Sequence, residues 1–226
     1  MKKMQIDPQD IQAVIFDMDG VITDTASIHA ATWKEMFDEY LKKRAERYGE
    51  RFQPFDAEVD YRRYVDGKPR YDGVEAFLES RGISLPYGNR ADKPDRETIC
   101  GLGNRKNQYF VQRLKKRNVK VYQSSIAFIK QLKSSGIRTA LISASRNAET
   151  VLEVAGVRDL FSVKVDGVDS VKRGLKGKPD PAIFLEAARQ LKTKPGKTAI
   201  VEDSLAGVEA GRRGEFRVVI GLDRAD

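Results

Sequence analysis

The stretch of sequence that decides the fold reads Ala13-Val14-Ile15-Phe16-Asp17-Met18-Asp19-Gly20-Val21-Ile22-Thr23-Asp24-Thr25. It opens with four apolar residues, which are typical of a strand buried on both faces. Asp17 and Asp19 stand two residues apart, so their side chains point the same way and predict a shared site beyond the carboxyl end of that strand. Because paired carboxylates repel, such a site needs a cation or a proton. A polar junction between strand and loop is the alternative for an isolated Asp-x-Asp.

Length and composition predict a soluble globular protein. The 226 residues, 40% hydrophobic and 33% charged, allow one sizeable core with a smaller second domain, or two small domains. No apolar run approaches the ~18 residues of a membrane span, and residues 1–7 lack the apolar segment of a signal peptide, so we expect a cytoplasmic location and no membrane partner. The single cysteine, Cys100, cannot form an internal disulfide, and no Cys/His grouping indicates zinc.

The net charge of +8, from 41 Lys and Arg against 33 Asp and Glu, suggests a nucleic-acid partner. The basic clusters are nevertheless scattered, at residues 42–44, 115–117, 172–173 and 212–213. Since the first two lie within helical patterns that also contain apolar positions, solvated helix faces explain them better. We therefore expect no specific nucleic-acid partner, and a secondary use of the charge in attracting anionic phosphorylated substrates.

Helical periodicity dominates the part of the chain that follows the first strand. Apolar residues recur at helical spacing in residues 27–48, 73–82 and 104–118, and the residues at 84–96 are rich in Pro, Gly, Asn and Asp, which predicts a surface loop. Residues 26–122 contain no convincing strand pattern. We therefore predict a helical cap domain inserted after the first strand.

From residue 124 onward, helices and apolar strands alternate. A helix is predicted before Gly136, and further helices at residues 147–155, 181–191 and 204–213. Strands are predicted at residues 137–142, 161–165, 198–201 and 216–220. This alternation predicts an α/β fold with a parallel sheet and helices on both faces. The predicted core domain consists of residues 1–25 and 123–226, and the predicted cap of residues 26–122.

Polar residues suited to phosphate chemistry stand at three junctions of this core. Residues 143–147, Ser-Ala-Ser-Arg-Asn, lie where a strand ends and a helix begins, so hydroxyls and backbone N–H groups there could bind a phosphate; helix capping is the alternative. Glu202 and Asp203 end an apolar strand, where they could instead be cap and first-turn charges. Lys178 precedes a proline-initiated helix, and a solvated loop lysine is the ordinary interpretation there.

Four segments resemble, in order, the motifs of the haloacid-dehalogenase-like phosphotransferases, in the branch that contains β-phosphoglucomutase. The segments are residues 17–25, Ser143 with its neighbours, residues 177–181 and residues 201–211, and the resemblance extends from Ala13 to about Leu222. It implies a Rossmann-like core with an inserted cap, and chemistry through an aspartyl-phosphate. The residues to which it assigns roles are Asp17 as nucleophile, Asp19 as general acid/base, Ser143 on the transferring phosphate, and Lys178 as the neutralising charge.

The resemblance also implies a magnesium cofactor. Mg²⁺ would bind Asp17, the backbone carbonyl of Asp19, Glu202 and Asp203, which form an all-oxygen set that suits this ion. A divalent cation would offset the repulsion between a carboxylate nucleophile and an anionic phosphate.

Substrate-binding residues are implied in both domains. In the core, Ser145, Arg146 and Asn147 would bind the second phosphate of the substrate. In the cap, His29 matches a histidine near the acid/base, and Trp33 matches an aromatic residue near the sugar. Arg70 matches an arginine that binds the distal phosphate, and Lys106 and Asn107 match a pair that contacts the sugar phosphate. Ordinary packing is the alternative for the histidine and the tryptophan.

The sequence departs from its relatives in the cap. Gly73 stands where they carry a small hydroxyl residue, and the cap is longer, chiefly between residues 40 and 66 and between residues 83 and 97. These departures bear on which sugar phosphate is the substrate.

Taken together, these features predict a magnesium-dependent sugar phosphomutase, acting as a monomer, that interconverts β-glucose 1-phosphate and glucose 6-phosphate. A sugar-phosphate phosphatase is the first alternative, because it needs the same motifs and only lets water accept the phosphoryl group. A basic nucleic-acid-binding protein on a degenerate scaffold is the second alternative. The intact carboxylates argue against the latter.

Overall fold

A computed structural model of the chain describes residues 10–116 and 119–223. Residues 1–7, Arg117 and Asn118, on which predictions were made above, lie outside the described residues. The chain divides into two compact units. We call Met1–Asp24 together with Val119–Asp226 the sheet unit, and Thr25–Asn118 the helical unit.

The sheet unit is built on strands β1 (Ala13–Asp17), β2 (Arg138–Ile142), β3 (Val163–Val165), β4 (Thr198–Glu202) and β5 (Val218–Gly221). All neighbours pair in parallel, in the order β3-β2-β1-β4-β5, so that β1 is central. Asp17 lies opposite Ile142 of β2, and Phe16 lies opposite Val201 of β4, so the carboxyl ends of these three strands meet at one end of the sheet. The predicted α/β fold with a parallel sheet is confirmed.

Helices account for most of the remaining described structure. The helical unit contains α1 (Ala26–Tyr48), a π-helical turn (Tyr61–Val65), α2 (Arg70–Ser80) and α3 (Ile99–Lys116). The sheet unit contains α4 (Gln123–Ser134), α5 (Ala148–Ala155), α6 (Gly167–Arg173), α7 (Ala182–Gln190) and α8 (Leu205–Arg213). None of the helices in the described ranges combines the length and the apolarity that a membrane crossing requires.

The central strand is covered on both faces, which explains why its sequence is continuously apolar. Every residue of β1 is buried. Ile15 belongs to a cluster with Ile183 and Phe184 of α7. The ring of Phe16, which points to the other face because side chains alternate along a strand, lies 6.0 Å from that of Phe128 in α4. The nucleophile predicted at the end of this strand therefore stands on a fully buried element at the centre of the sheet.

The core of the helical unit is aromatic. The ring of Phe37 lies 5.3 Å from Trp33, 5.1 Å from Phe55 and 4.2 Å from Phe77. Phe55 comes from the longer segment between residues 40 and 66, and its N–H donates a 2.7 Å hydrogen bond to the carboxylate of Asp38. Phe55 of this segment is thus part of the core.

Two helices of the helical unit begin earlier than predicted. Helix α2 begins at Arg70 instead of residue 73, because Pro69 precedes it with a φ of −55°, which suits a helix start. Helix α3 begins at Ile99 instead of residue 104. There the hydroxyl of Thr98 accepts a 2.9 Å hydrogen bond from the N–H of Gly101 and so caps the first turn.

Helix α6 was not predicted from the sequence. It is held by a capping box, in which the Asp166 side chain accepts hydrogen bonds from the N–H groups of Val168 and Asp169 at 2.8 and 3.0 Å. The Asp169 carboxylate in turn accepts from the N–H of Asp166 at 3.1 Å. These reciprocal bonds fix a helix of only seven residues.

Candidate active site

Asp17 ends β1 and is only 6% exposed. Its Oδ1 accepts a 2.6 Å hydrogen bond from the Nζ of Lys178, which is itself 4% exposed. Lys178 lies in the loop before α7, so the lysine predicted as a neutralising charge contacts the predicted nucleophile. This is a charge-assisted bond between two buried groups.

Glu202 shares the same lysine. Its carboxylate forms a hydrogen-bonded ion pair with the Lys178 ammonium, and the residue is fully buried at the end of β4. The other oxygen of Glu202 accepts hydrogen bonds from the N–H groups of Asp203 and Ser204, both at 2.7 Å, and from the Ser204 hydroxyl at 3.0 Å. Glu202 therefore fixes both the lysine and the start of α8.

The charges of this cluster are not balanced. Burial raises the pKa of Asp17 well above its usual range; Lys178 opposes that effect, and Glu202 and Asp19 add to it. Burial alone would lower the pKa of Lys178, but Asp17 and Glu202 outweigh burial and raise that pKa above its ordinary value. The lysine is thus a permanent cation that does not fully compensate the carboxylates around it.

Asp19 and Gly20 form the turn that follows β1. The Oδ2 of Asp19 accepts a 3.4 Å hydrogen bond from the hydroxyl of Ser143 at the end of β2. Gly20 has a φ of +77°, and a Cβ there would lie 1.6 Å from Oδ2 of Asp203. Glycine is required because any side chain would occupy the place of that carboxylate. Asp203 therefore lies against the turn that carries Asp19.

The donor set fits a hard divalent cation in its chemistry. Asp17, Asp19 and Asp203 supply carboxylate oxygens, the Asp19 backbone supplies a carbonyl, and the negative charge exceeds that of Lys178. Over the described ranges, however, no three or more His, Cys, Asp or Glu side chains are already arranged as a metal site. Glu202 departs most from the predicted ligand role, because both of its oxygens already accept hydrogen bonds.

The segment between β2 and α5 is ordered by its own hydroxyls. The Oγ of Ser143 accepts from the N–H of Ser145 at 3.0 Å, and the Oγ of Ser145 accepts from the N–H of Asn147 at 3.1 Å. Asn147 is the N-cap residue of α5 but makes no capping hydrogen bond with its side chain, so the capping alternative is wrong for this residue. Arg146 is exposed. Three predicted phosphate-binding residues are thus presented at a helix N-terminus.

In the helical unit, His29, Trp33 and Lys106 form one cluster. The Nζ of Lys106 lies 2.6 Å from Nδ1 of His29, and it also lies 4.9 Å from the Trp33 ring centroid. Because an ammonium can only donate, a hydrogen bond between these two atoms requires Nδ1 of His29 to accept. Phe110 completes the cluster by stacking on His29 at 4.1 Å. Phe110 stands four residues after Lys106 on α3, so the two side chains are neighbours on one helix face. The sequence interpretation did not use this spacing.

Arg70 opens α2 in the same unit. Its Nη1 donates to Oδ1 of Asn104 at 3.3 Å. Asn107, the remaining predicted residue, is half-buried on α3, next to Lys106. The sequence interpretation included residues 105–107 but missed Asn104, which directly precedes them.

Comparison with known proteins agrees with this geometry. A family model described as haloacid dehalogenase-like hydrolase matches residues 11–214. A β-phosphoglucomutase of Mycobacterium bovis is 45% identical over 96% of this chain and 83% of its own length. A phosphorylated carbohydrates phosphatase of Thermotoga maritima is 30% identical over 94% of this chain and 85% of its own length. The crystal structure of a β-phosphoglucomutase from Clostridium difficile superposes with a TM-score of 0.71 at 26% identity, covering 93% of this chain and 84% of that one.

Proposed function

Because the chain belongs to the haloacid dehalogenase-like hydrolase family, in its β-phosphoglucomutase branch, we propose that it interconverts β-glucose 1-phosphate and glucose 6-phosphate. The observation that carries this proposal is the contact between the buried carboxylate of Asp17 and the ammonium of Lys178 at the carboxyl end of the central strand. This contact supports the proposal, because transfer of an anionic phosphoryl group requires a nucleophile beside a fixed positive charge.

In the proposed reaction, Asp17 carries the phosphoryl group between the two positions of the sugar. Phosphorylated Asp17 gives its phosphoryl group to the free hydroxyl of a hexose monophosphate, which produces a hexose bisphosphate and the free carboxylate. A carboxylate oxygen of Asp17 then attacks the other phosphorus, and the bond from that phosphorus to the sugar oxygen breaks. The products are the isomeric monophosphate and phosphorylated Asp17, so the cycle closes without net hydrolysis.

Asp19 is the proposed general acid/base. In the first half-reaction its carboxylate takes the proton of the attacking sugar hydroxyl, and in the second it returns that proton to the leaving sugar oxygen. Its hydrogen bond from the Ser143 hydroxyl supports this role, because it orients the carboxylate. Ser143 itself is assigned to the oxygens of the transferring phosphate. Lys178 keeps the charge of nucleophile and phosphate partly neutralised throughout.

Mg²⁺ is the proposed cofactor, and it would supply further charge neutralisation and alignment when bound. The residues that would hold it are Asp17, Asp19 through its backbone carbonyl, and Asp203, while Glu202, which was also predicted as a ligand, would hold Lys178 and the backbone of Asp203 in place. The contact of one ammonium, Lys178, with two carboxylates, Asp17 and Glu202, supports this assignment, because a divalent cation would offset the negative charge that one lysine leaves.

Each unit has its own set of proposed substrate-binding residues. In the sheet unit we assign Ser145, Arg146 and Asn147 to the phosphate that is not being transferred. In the helical unit the assignments are to the sugar and its phosphates: His29, Trp33, Arg70, Lys106 and Asn107. Burial of the Lys106 ammonium against Trp33 and Phe110 supports a specific role, since a solvated lysine would not be 5% exposed.

A phosphatase acting on phosphorylated carbohydrates is the second candidate. The observation in its favour is the 30% identity to the Thermotoga maritima phosphatase. Both candidates use Asp17, Asp19 and Lys178 in the same way, and they differ only in whether water or a sugar hydroxyl receives the phosphoryl group.

Phosphorus NMR of the reaction mixture separates the two candidates. With β-glucose 1-phosphate, Mg²⁺ and a trace of glucose 1,6-bisphosphate, we expect glucose 6-phosphate to accumulate much faster than inorganic phosphate. Asp17→Asn should abolish both products, because it removes the nucleophile. Asp159→Asn is the matched control, since Asp159 is exposed and distant in sequence from the site, and it should retain full activity. Release of phosphate as fast as isomerisation would favour the phosphatase.

A further inference from the structure

The side chain of Asn104 connects the loop at residues 84–97 to Arg70. Its Nδ2 donates to the backbone carbonyls of Arg90 and Asp92, at 3.1 and 2.8 Å. Its Oδ1 accepts from Nη1 of Arg70 at 3.3 Å and from the hydroxyl of Tyr71 at 2.9 Å. Because one end of the amide meets only acceptors and the other end only donors, its orientation is fixed.

The loop side of this connection is rigid. The Asp92 carboxylate accepts hydrogen bonds from the N–H of Asn89 at 3.0 Å and from the hydroxyl of Thr98 at 2.7 Å, and the residue is only 9% exposed. Arg105, which follows Asn104 on α3, donates from Nε to the carbonyl of Pro94 at 2.7 Å. The loop is therefore attached to α3 at several points.

On the other side of Asn104, the first turn of α2 packs closely against α3. A Cβ at Gly103 would lie 2.7 Å from the ring of Tyr71 and 3.3 Å from Cδ of Arg70. Only glycine lets the first turn of α2 approach α3 so closely. This approach is what brings Asn104 within hydrogen-bonding distance of the guanidinium.

We infer that Asn104 is a positioning residue, which holds the Arg70 guanidinium in the orientation that binds a sugar phosphate. The inference rests on the proposed function of Arg70. A free arginine side chain loses much rotamer freedom when it binds a planar pair of phosphate oxygens, and a preformed hydrogen bond reduces that loss. Since a guanidinium carries five N–H donors, a bond to Asn104 is compatible with phosphate binding. The extra loop of this chain thereby contributes to substrate binding through a residue that would not itself touch the substrate.

The test is a double-mutant cycle on the full chain. Asn104→Ala should raise the KM for β-glucose 1-phosphate by about tenfold, the size expected for one hydrogen bond to a charged group, and should leave kcat within about twofold. In an Arg70→Ala background the same substitution should have no further effect, because Asn104 acts through that arginine. Gln112→Ala, at an exposed amide side chain on the same helix α3, is the matched control and should leave KM unchanged.

An equal rise in KM in both backgrounds, or a lower unfolding temperature with an unchanged KM, would overturn the inference, since either result indicates a purely structural role. Should alanine prevent folding, Asn104→Ser repeats the cycle with a polar side chain too short to reach both partners.

Binding of glucose 1,6-bisphosphate to Asp17→Asn protein, measured by calorimetry over the same cycle, separates this inference from the proposed function. Absence of isomerisation in the wild type overturns the function. Additive losses of affinity for the bisphosphate, or no loss with Asn104→Ala, overturn the inference.

Discussion

At the scale of single residues, Lys178 provides the positive charge that two buried carboxylates of the sheet unit require. Asp17 and Glu202 are both removed from water, and each would be strongly destabilising without a counter-charge. One ammonium contacts both. The lysine therefore contributes to folding as well as to the proposed chemistry, and the two contributions can be separated by experiment.

Lys178→Met should abolish phosphoryl transfer and also lower the free energy of unfolding by about 3–5 kcal/mol, the typical loss when one partner of a buried ion pair is removed. Urea denaturation followed by circular dichroism measures the second effect. Lys176→Met, two positions earlier and exposed, is the control and should change stability by less than about 0.5 kcal/mol. Equal stability of the two variants would mean that the buried carboxylates do not depend on Lys178.

Glu186, on α7, is a second residue whose negative charge stabilises the fold. Hydrogen bonds from Arg189 lower its pKa to about 2 from an ordinary value of 4.5, and Arg173 of α6 lies 3.2 Å from its carboxylate. A lowered folded-state pKa means that ionised Glu186 stabilises the fold above pH 4.5, and that this contribution is lost as the pH falls toward about 2.

Glu186→Gln should therefore lower the free energy of unfolding by about 1 kcal/mol at neutral pH, the upper part of the range for partly exposed ion pairs. The difference from wild type should shrink as the pH falls from 4.5 toward about 2. Denaturant midpoints over that range provide the measurement. Glu209→Gln, in the more exposed pair with Arg213, serves as the comparison and should cause a smaller loss. A difference that grows in acid would contradict the assignment.

At the scale of secondary-structure elements, α6 supports the segment that follows β2. The N–H of Gly167 donates to the carbonyl of Ser145 at 3.2 Å. A Cβ on this glycine would lie 2.5 Å from the carbonyl oxygen of Ala144 and 3.0 Å from the N atom of Arg146. The start of α6 thus packs directly against backbone that presents the proposed phosphate-binding residues.

Gly167→Ala should displace that backbone and raise the KM for β-glucose 1-phosphate by about tenfold or more, since shifts of about 1 Å in positioning groups have effects of this size. Steady-state kinetics checks the prediction. Gly196→Ala, at a glycine with open space around it, should have no effect on KM. Similar kinetics for both variants would show that residues 143–147 do not depend on contact with α6.

The strands were easier to predict than the short elements around the site. Burial on both faces gives β1 a continuous apolar run, which is readable without any knowledge of its neighbours. Helix α6 has no such signature in seven residues, although Asp166 and Asp169 were spaced as a capping box. The start of α2 was missed because its first turn carries charged and aromatic residues instead of a periodic apolar face.

The residues of the candidate site could be proposed from the sequence, but the contacts between their side chains could not. The resemblance supplied Asp17, Ser143 and Lys178 from their motifs. The pairing of Lys178 with Glu202 depends on β4 lying beside β1, and strand order is not encoded in any local pattern. The sequence therefore assigned Glu202 to a metal or to the start of a helix and missed its pairing with Lys178, whereas the structure engages both of its oxygens with protein donors.

For the molecule as a whole, the net charge is +8, but many of its basic side chains are paired locally with carboxylates. Within the basic runs, Lys43 pairs with Glu39 at 2.7 Å, Arg44 with Glu50 at 2.9 Å and Arg213 with Glu209 at 2.8 Å. Pairing of this kind occurs in both units. Among the described residues, it leaves less uncompensated charge in these runs than the sequence alone suggests, so the charge favours small anionic substrates over an extended polyanion.

Nucleic-acid binding should accordingly be weak and independent of sequence. Titration of a fluorescently labelled DNA duplex at physiological salt should give a Kd no tighter than the ~10⁻⁴–10⁻⁶ M of non-specific binders, with a steep loss of affinity as salt increases. Isomerisation of β-glucose 1-phosphate, assayed in the same buffers, should be unaffected by excess duplex, because DNA held only by scattered surface charge does not compete with the substrate for the proposed active site. Sub-micromolar affinity, or inhibition by the duplex, would show that the basic clusters form one continuous surface and would contradict the interpretation of the charge.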